Sequence, residues 1–320
     1  IGFHRPEHFP PPVYDFERNP MDSATIELGR LLFYDPALSA NNQISCASCH
    51  TSYNSFAHTD HDLSHGIADQ IGTTNAPALL NLAWHPSFMW DGAINHLDVQ
   101  PLAPITHPKE MGEDLAHLIQ KLKETHAYPQ LFFQAFHDSV ITGEHMLKAL
   151  AQFQLTLVSA NAKYDKVQKG IESYTEQEKK GYEIYKLHCR SCHMEPLFST
   201  YGFANNGLIP DTTLNDYGRW RVTHRKSDSL LFKIPTLRNL SYSYPYMHDG
   251  RFKTLHQVLH HYTNGIMISP TLSDELRKPL RLNAYEKADL IAFLLCLNDK
   301  DFIFEPKFQF PKNAYFLKSY

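Results

Sequence analysis

One five-residue pattern occurs twice in this chain, as Cys46-Ala-Ser-Cys49-His50 and as Cys189-Arg-Ser-Cys192-His193. Two thiols three positions apart stand on one side of a helical turn, and an imidazole follows the second. That spacing lets both vinyl groups of a haem form thioethers while the histidine binds the iron from below. Two such units constrain the fold strongly. Each needs an apolar wrapping that keeps a porphyrin dry, and each falls in a half of about 150 residues. The expectation is an internal repeat of whole domains, each carrying one covalent haem c. Rival readings of the same cysteines are weak. A zinc site would have to join two pairs far outside ribbon spacing. A thioredoxin-like dithiol would need a βαβ context that the pattern lacks. The fifth of the five cysteines, Cys296, lies in the apolar run Asp289 to Leu297 and reads as a packed small hydrophobe.

The remaining strong signals are helical, so the expected fold class is all-α. Leu28, Leu31 and Leu32 share one face just before the first unit. Met146, Leu147, Leu150, Phe153 and Leu157 form a second stripe that closes the first half. Thr175-Glu-Gln-Glu178 is a capping-box pattern opening the helix that runs from Lys179 to His188 into the second unit. Asn283-Ala-Tyr-Glu286 starts a helix through Leu290, Ile291, Leu294 and Leu297. Strand-like alternation is scarce, and the twenty prolines and the stretch from Tyr201 to Lys233 imply long irregular connections. The expected units are 15–162 and 163–320. Residues 1–14 would be packed on the second unit, and the aromatic tail from Phe302 to Tyr320 would lie extended on the domains.

Composition narrows the function classes. A net charge of -4 with no Lys/Arg-rich stretch speaks against nucleic acid. No apolar run reaches the ~18 residues of a membrane span. No leader is visible at Ile1, which reads as a mature, processed chain. Haem c is attached outside the cytoplasm, so the expected location is the periplasm. Two haems then allow an electron carrier with both irons six-coordinate, or an enzyme with one iron open to peroxide.

The segments between the haem units bear on that choice. Asn75-Ala-Pro-Ala-Leu-Leu-Asn81, Trp90-Asp-Gly92, Gln100 and His107-Pro-Lys-Glu110-Met111 follow the first unit. Phe232-Lys-Ile-Pro-Thr-Leu-Arg-Asn239 and Pro245-Tyr-Met-His-Asp-Gly250 follow the second. With these motifs, from about Leu28 to Leu297, the chain resembles the bacterial di-haem cytochrome c peroxidases and their relatives of the MauG type. The resemblance implies two cytochrome c-like domains whose haems face a shared interface. It implies that Glu110 is the acid/base over the open face of the first haem, with Gln100 as its hydrogen-bonding neighbour. It further implies that Trp90 relays electrons or holes between the haems. A calcium ion is implied as well, on the side chain of Asn75 and the backbone carbonyls of Ser243 and Pro245. Most relatives have Thr at the position of Ser243, a change that a backbone ligand tolerates. Taken singly, each residue also has a plainer reading: Glu110 as a solvated helix start, Trp90 as core, Asn75 as a turn residue.

The branches of this family differ in their sixth ligands. The peroxidases place a Met after His-Asp-Gly, whereas the MauG-type proteins place a Tyr. Counting on from His248 reaches Tyr262, in His260-His-Tyr262-Thr-Asn-Gly265. Tyr262 is therefore the first candidate, Met267 the second and Met247 the third. A phenolate is hard and anionic and favours ferric iron, while a thioether raises the potential. At the first haem, His65 is near the position of a loop histidine that many peroxidases park on the distal face. It falls out of register with Asn75, and a vacant distal face is the favoured expectation. His58 and His61 are expected as exposed loop residues. MauG carries a surface Trp two positions before its second haem unit, where this chain has Leu187; Tyr182 and Tyr185 lie nearby without an assigned role.

The expected function is a periplasmic di-haem peroxidase. It would reduce hydrogen peroxide at His50 with electrons from a small redox donor such as a cytochrome c. The alternatives are a MauG-like enzyme that oxidises a protein substrate and a di-haem electron carrier.

Overall fold

The computed structural model describes residues 3–312. It is helical, and its one two-stranded ladder pairs Phe203–Ala204 antiparallel with Phe232–Lys233. Local sequence explains where the main helices start. Asp22 accepts from the Ala24 and Thr25 amides and opens the helix Ser23–Tyr34. Thr175 and Glu178 cap each other at the start of Glu176–His188, and Asn283 and Glu286 do the same for Ala284–Leu295. Helix Gly143–Leu155 carries the second stripe, and Leu157 is buried just beyond its end.

The same packing device occurs twice. Helix Ser23–Tyr34 crosses Gly143–Leu155, and Glu176–His188 crosses Ala284–Leu295. Each crossing is made on a glycine. A Cβ on Gly29 would lie 1.9 Å from the Ala149 carbonyl oxygen and 3.1 Å from Phe153 Cβ. A Cβ on Gly181 would lie 1.9 Å from the Asp289 carbonyl oxygen and 2.9 Å from Phe293 Cβ. Backbone therefore meets backbone at both crossings, and the phenylalanine one turn on closes each contact. The first crossing lies in an apolar cluster with Leu32, Phe56 and Phe132, the second in a cluster with Tyr164, Tyr185 and Phe198.

A buried polar knot ties segments of the two halves. Asn81 Oδ1 accepts from the Ser159 amide at 2.9 Å, and Ser159 Oγ donates to Asp299 Oδ2 at 3.1 Å. The Asp299 amide donates to Asn239 Oδ1 at 2.7 Å. Nearby, Arg238 makes two bonds to Asp165, of 2.9 and 2.7 Å, with both side chains fully buried. His8 Nε2 meets the same carboxylate at 2.9 Å. The N-terminal segment thus runs along both halves: Phe9 packs with Trp84 and Leu197, and the Val13 and Tyr14 amides donate to the Ala83 carbonyl.

Two sequence expectations need correction. The tail after Phe302 is not extended as far as it is described. Asp299 caps the helix Lys300–Ile303, and Glu305 caps a 3-10 turn over Pro306–Phe308. Phe302, Ile303 and Phe308 then bury in the first cluster, because the C-terminal segment returns across the first half. Residues 313–320, the rest of that tail, lie outside the described residues. The other correction concerns His58, which is buried rather than exposed. The bridge between Thr51 and Ala57 turns the loop back onto the first haem unit and carries His58 inward. His61 is exposed.

Candidate active site

Each Cys-x-x-Cys-His unit opens into a large, mostly apolar cavity. The first is lined by Cys49 and His50. The second is lined by Cys189, Cys192 and His193. Cys46 borders a smaller space beside the first, together with Cys49 and His50. The two cysteine pairs are thus in separate cavities. A zinc site joining the two pairs would need them in one place, and they are apart.

The histidines have the state that an iron ligand needs. His50 Nδ1 faces the Phe56 carbonyl at 2.7 Å, and His193 Nδ1 faces those of Pro235 and Phe198 at 3.1 and 3.3 Å. A carbonyl only accepts, so Nδ1 carries the proton and the lone pair lies on Nε2. Burial pushes both imidazoles down to about 4, so they stay neutral at physiological pH. Burial also pushes the Cys46 and Cys189 thiols up to about 12. Neutral thiols paired with a neutral imidazole on an apolar wall fit a covalently held haem in each cavity.

Glu110 and Gln100 line the first cavity with His50. Burial raises the Glu110 carboxyl above its ordinary range, and His107, at 3.9 Å, partly opposes this. The backbone of Glu110 is fixed from below, since its carbonyl accepts from the Ile67 amide at 2.7 Å. Gln100 shares the cavity but donates to Met89 Sδ at 3.7 Å rather than to Glu110. His65 aims its imidazole at Asp69, 2.7 Å away, and stacks on His61. Only its backbone carbonyl approaches the haem unit, as the acceptor from Cys49 Sγ at 3.6 Å.

Trp90 lines both cavities. Its indole N–H donates to the Asn75 carbonyl at 2.8 Å, and its own carbonyl accepts from the Lys233 amide at 2.7 Å. Asn75 is buried, its amide donating to the His248 carbonyl at 2.7 Å and Nδ2 to the Asp62 carbonyl at 2.9 Å. Ser243 and Pro245 line the first cavity with Asn75, so all three residues of the expected calcium site border one space.

Two tyrosines line the second cavity: Tyr246, whose hydroxyl donates to the Leu240 carbonyl at 3.0 Å, and Tyr262, carried on a π-helical turn over His261–Gly265. Burial pushes the Tyr262 phenol up to about 12, so it stays neutral unless a cation faces it. Met247 also lines this cavity and accepts from Asn206 Nδ2 at 3.3 Å. Met267 is not among the lining residues, and its amide is held by the Gly207 carbonyl at 2.8 Å. Leu187 is 76 % exposed. Tyr182 and Tyr185 have structural partners: Tyr182 donates to Glu195 at 2.7 Å and Tyr185 to the His193 carbonyl at 2.5 Å.

A family model described as di-haem cytochrome c peroxidase matches residues 23–173. The methylamine utilization protein MauG of Methylorubrum extorquens is 36% identical over 91% of this chain and 82% of its own length. The chain belongs to the di-haem cytochrome c peroxidase family. The cytochrome c551 peroxidase of Nitrosomonas europaea is 33% identical over 91% of this chain and 84% of its own. Among solved structures, a MauG-like protein associated with microbial copper homeostasis superposes with a TM-score of 0.85 at 30% identity. It covers 97% of this chain, which covers 99% of it. This di-haem peroxidase is therefore an oxidoreductase acting on peroxide, with haem as its cofactor. No helix among its described residues is long and apolar enough to cross a membrane.

Sequence reasoning missed three polar side chains on the first cavity: the buried Tyr201 and the part-buried Lys233 and His85. Lys233 stands inside the quoted Phe232-Lys-Ile-Pro motif, and that is the one signal that could have found it.

Proposed function

We propose that the chain is a periplasmic enzyme of two cytochrome c-like units, 15–162 and 163–320, that reduces hydrogen peroxide in the cavity of His50. Electrons would enter through the cavity of His193 from a small redox protein such as a cytochrome c. The observation that carries this reading is Glu110, a part-buried carboxyl with a raised pKa on the same cavity as His50. A haem held by Cys46, Cys49 and His50 would supply the redox-active iron for the two-electron reduction of peroxide to water. The side chains supply the proton movements. Peroxide must lose a proton from one oxygen and gain one on the other. A carboxyl of raised pKa can take the first at one Oε and return it to the second. Gln100 would orient that traffic from the same wall. The apolar lining keeps bulk water from competing for the proton.

Trp90 would couple the two cavities, because it borders both and its indole is fixed by the Asn75 carbonyl. The side-chain oxygen of Asn75 and the carbonyls of Ser243 and Pro245 would hold a calcium ion, whose hard character suits such oxygens. That ion would brace the carbonyl on which Trp90 rests. Tyr262 would be the sixth ligand in the second cavity.

That tyrosine favours a second reading, in which peroxide is used to oxidise residues of a partner protein. The 36% identity to a MauG protein supports it, and the exposed Leu187 in place of a surface Trp argues against a MauG-like route to the substrate. The carrier reading leaves the part-buried Glu110 without a task.

The deciding experiment is stopped-flow mixing of peroxide with wild type and Glu110→Gln. A general acid–base contributes on the order of 10²–10⁴-fold. The variant should keep both haems and react with peroxide slower by that order. Unchanged kinetics would remove Glu110 from the mechanism. Turnover with reduced cytochrome c then separates the peroxidase from the protein-oxidising reading, which predicts none.

A further inference from the structure

Lys233 ends the short strand Phe232–Lys233, and its side chain stands part-buried on the wall common to the two cavities. A buried ammonium needs an anion or a set of acceptors. Its side-chain hydrogen bond in the protein goes to the Ser87 carbonyl, at 3.0 Å. Burial pushes it down to about 8, and Asp91 opposes this only in part.

Its neighbours are also short of partners. The buried Tyr201 hydroxyl has no hydrogen-bond partner, and His85 has only a loose approach to the Leu80 carbonyl, short of a regular bond. The two rings lie 4.0 Å apart, and both border the first cavity beside Lys233. Native interiors leave few polar groups unpaired, because an unpaired one loses its hydration without recompense. Three donors gathered on one cavity wall point to an occupant that brings anionic acceptors. A haem, whose edge carries two carboxylates, is such an occupant.

We propose that Lys233, with Tyr201 and His85, forms the carboxylate-binding end of the first cavity, holds a propionate of the haem on His50, and thereby raises that haem's reduction potential. The inference rests on the di-haem reading and adds a tuning device to it. A fixed positive charge favours the electron-richer ferrous state, so losing it lowers the potential. The assignment is to the first cavity because His85 and Tyr201 border that one and not the second.

The test is a spectroelectrochemical titration of the holoprotein as wild type, Lys233→Met and Lys233→Arg. Haem content is counted for each by pyridine haemochrome and intact mass. Lys233→Met should lower the potential of the His50 haem by about tenfold in its redox equilibrium, which for one electron is about 59 mV. Lys233→Arg should stay close to wild type. An unmoved His50 haem in a fully loaded Lys233→Met protein would overturn the proposal, and so would a larger shift at the His193 haem. Should Lys233→Met fail to load, Tyr201→Phe carries the test. It should lower the same potential about threefold, and an unmoved potential there overturns the cradle. A wild-type chain without two haems would sink the di-haem reading itself, and this proposal with it.

Discussion

The glycine crossings make a quantitative prediction about how each haem unit is held. In Gly181→Ala the new methyl carbon would sit 1.9 Å from the Asp289 carbonyl oxygen and 2.6 Å from its carbon. Ordinary contact begins near 3.5 Å, so the two helices must part by roughly 1.5 Å at the crossing. Overpacking costs about 1–3 kcal/mol. The obstacle here is backbone, which has no rotamer to yield, so the cost belongs at the upper end. Alanine returns about 1 kcal/mol in helix propensity. The net expectation is a loss of about 2 kcal/mol. Helix Glu176–His188 ends one residue before Cys189, so the displacement reaches the second haem unit directly. Urea unfolding followed by far-UV circular dichroism is the assay. With a slope of about 3 kcal/mol/M, the midpoint should fall by about 0.7 M. Gly29→Ala meets an Ala149 carbonyl at the same 1.9 Å and should lose a similar amount. A midpoint that stays or rises in both variants would show that the crossings relax freely, and would refute the argument that the glycines set the helix spacing.

Three further outcomes follow from the site and its supports. Asp165→Asn strips the buried Arg238 of its charge partner and should cost about 3–5 kcal/mol in the same unfolding assay. Burial alone would raise the Asp165 carboxyl, but the bonds from Arg238 and His8 outweigh it and hold the group well below its ordinary value. Its stabilisation is therefore full above the unfolded carboxylate range and is lost as pH falls through the depressed value, a loss that Asp165→Asn should not show. Tyr262→Phe should change the optical and EPR spectrum of one haem only, while Met267→Leu leaves both unchanged; the reverse result would transfer the ligand role to Met267. The raised Glu110 carboxyl acts as a base only when ionised, so the peroxide rate should fall as pH is lowered through a value above the ordinary carboxylate range. Glu110→Gln should abolish that fall, and an identical pH profile in the variant would assign the titration elsewhere.

What could be read from the chain alone was mostly local. The haem units are fixed by covalent spacing, and the main helices by caps and a period of three to four residues, as at Thr175 with Glu178 and at Leu28 with Leu32. Glu110, Gln100, Trp90 and Asn75 could be named because family motifs contain them, and the structure gathers all four around one cavity. The tail was misread because Phe302 and Phe308 show no clear pattern until a distant surface receives them. His58 was misread because histidine has no strong preference for burial or exposure and a single bridge, Thr51 to Ala57, decides the matter. Lys233 has a related explanation: a lysine in sequence reads as solvated, and only the fold shows that it lines two cavities.

The stretch from Phe232 to His248 explains how two similar haem units come to differ. It supplies Lys233, Ile234, Pro235, Tyr246 and Met247 to both cavities, so it is a wall with two faces. Its Pro235 carbonyl fixes His193, its Lys233 amide holds Trp90, and its His248 carbonyl holds Asn75. A displacement in this stretch would therefore move the ligand of the second cavity and the indole between the cavities together. The side chains that differ come from elsewhere: Glu110 and Gln100 on the first face, Tyr262 on the second. A common wall with unlike opposite walls gives one cavity a carboxyl and an amide, Glu110 and Gln100, and the other the Tyr262 phenol on its π-helical turn.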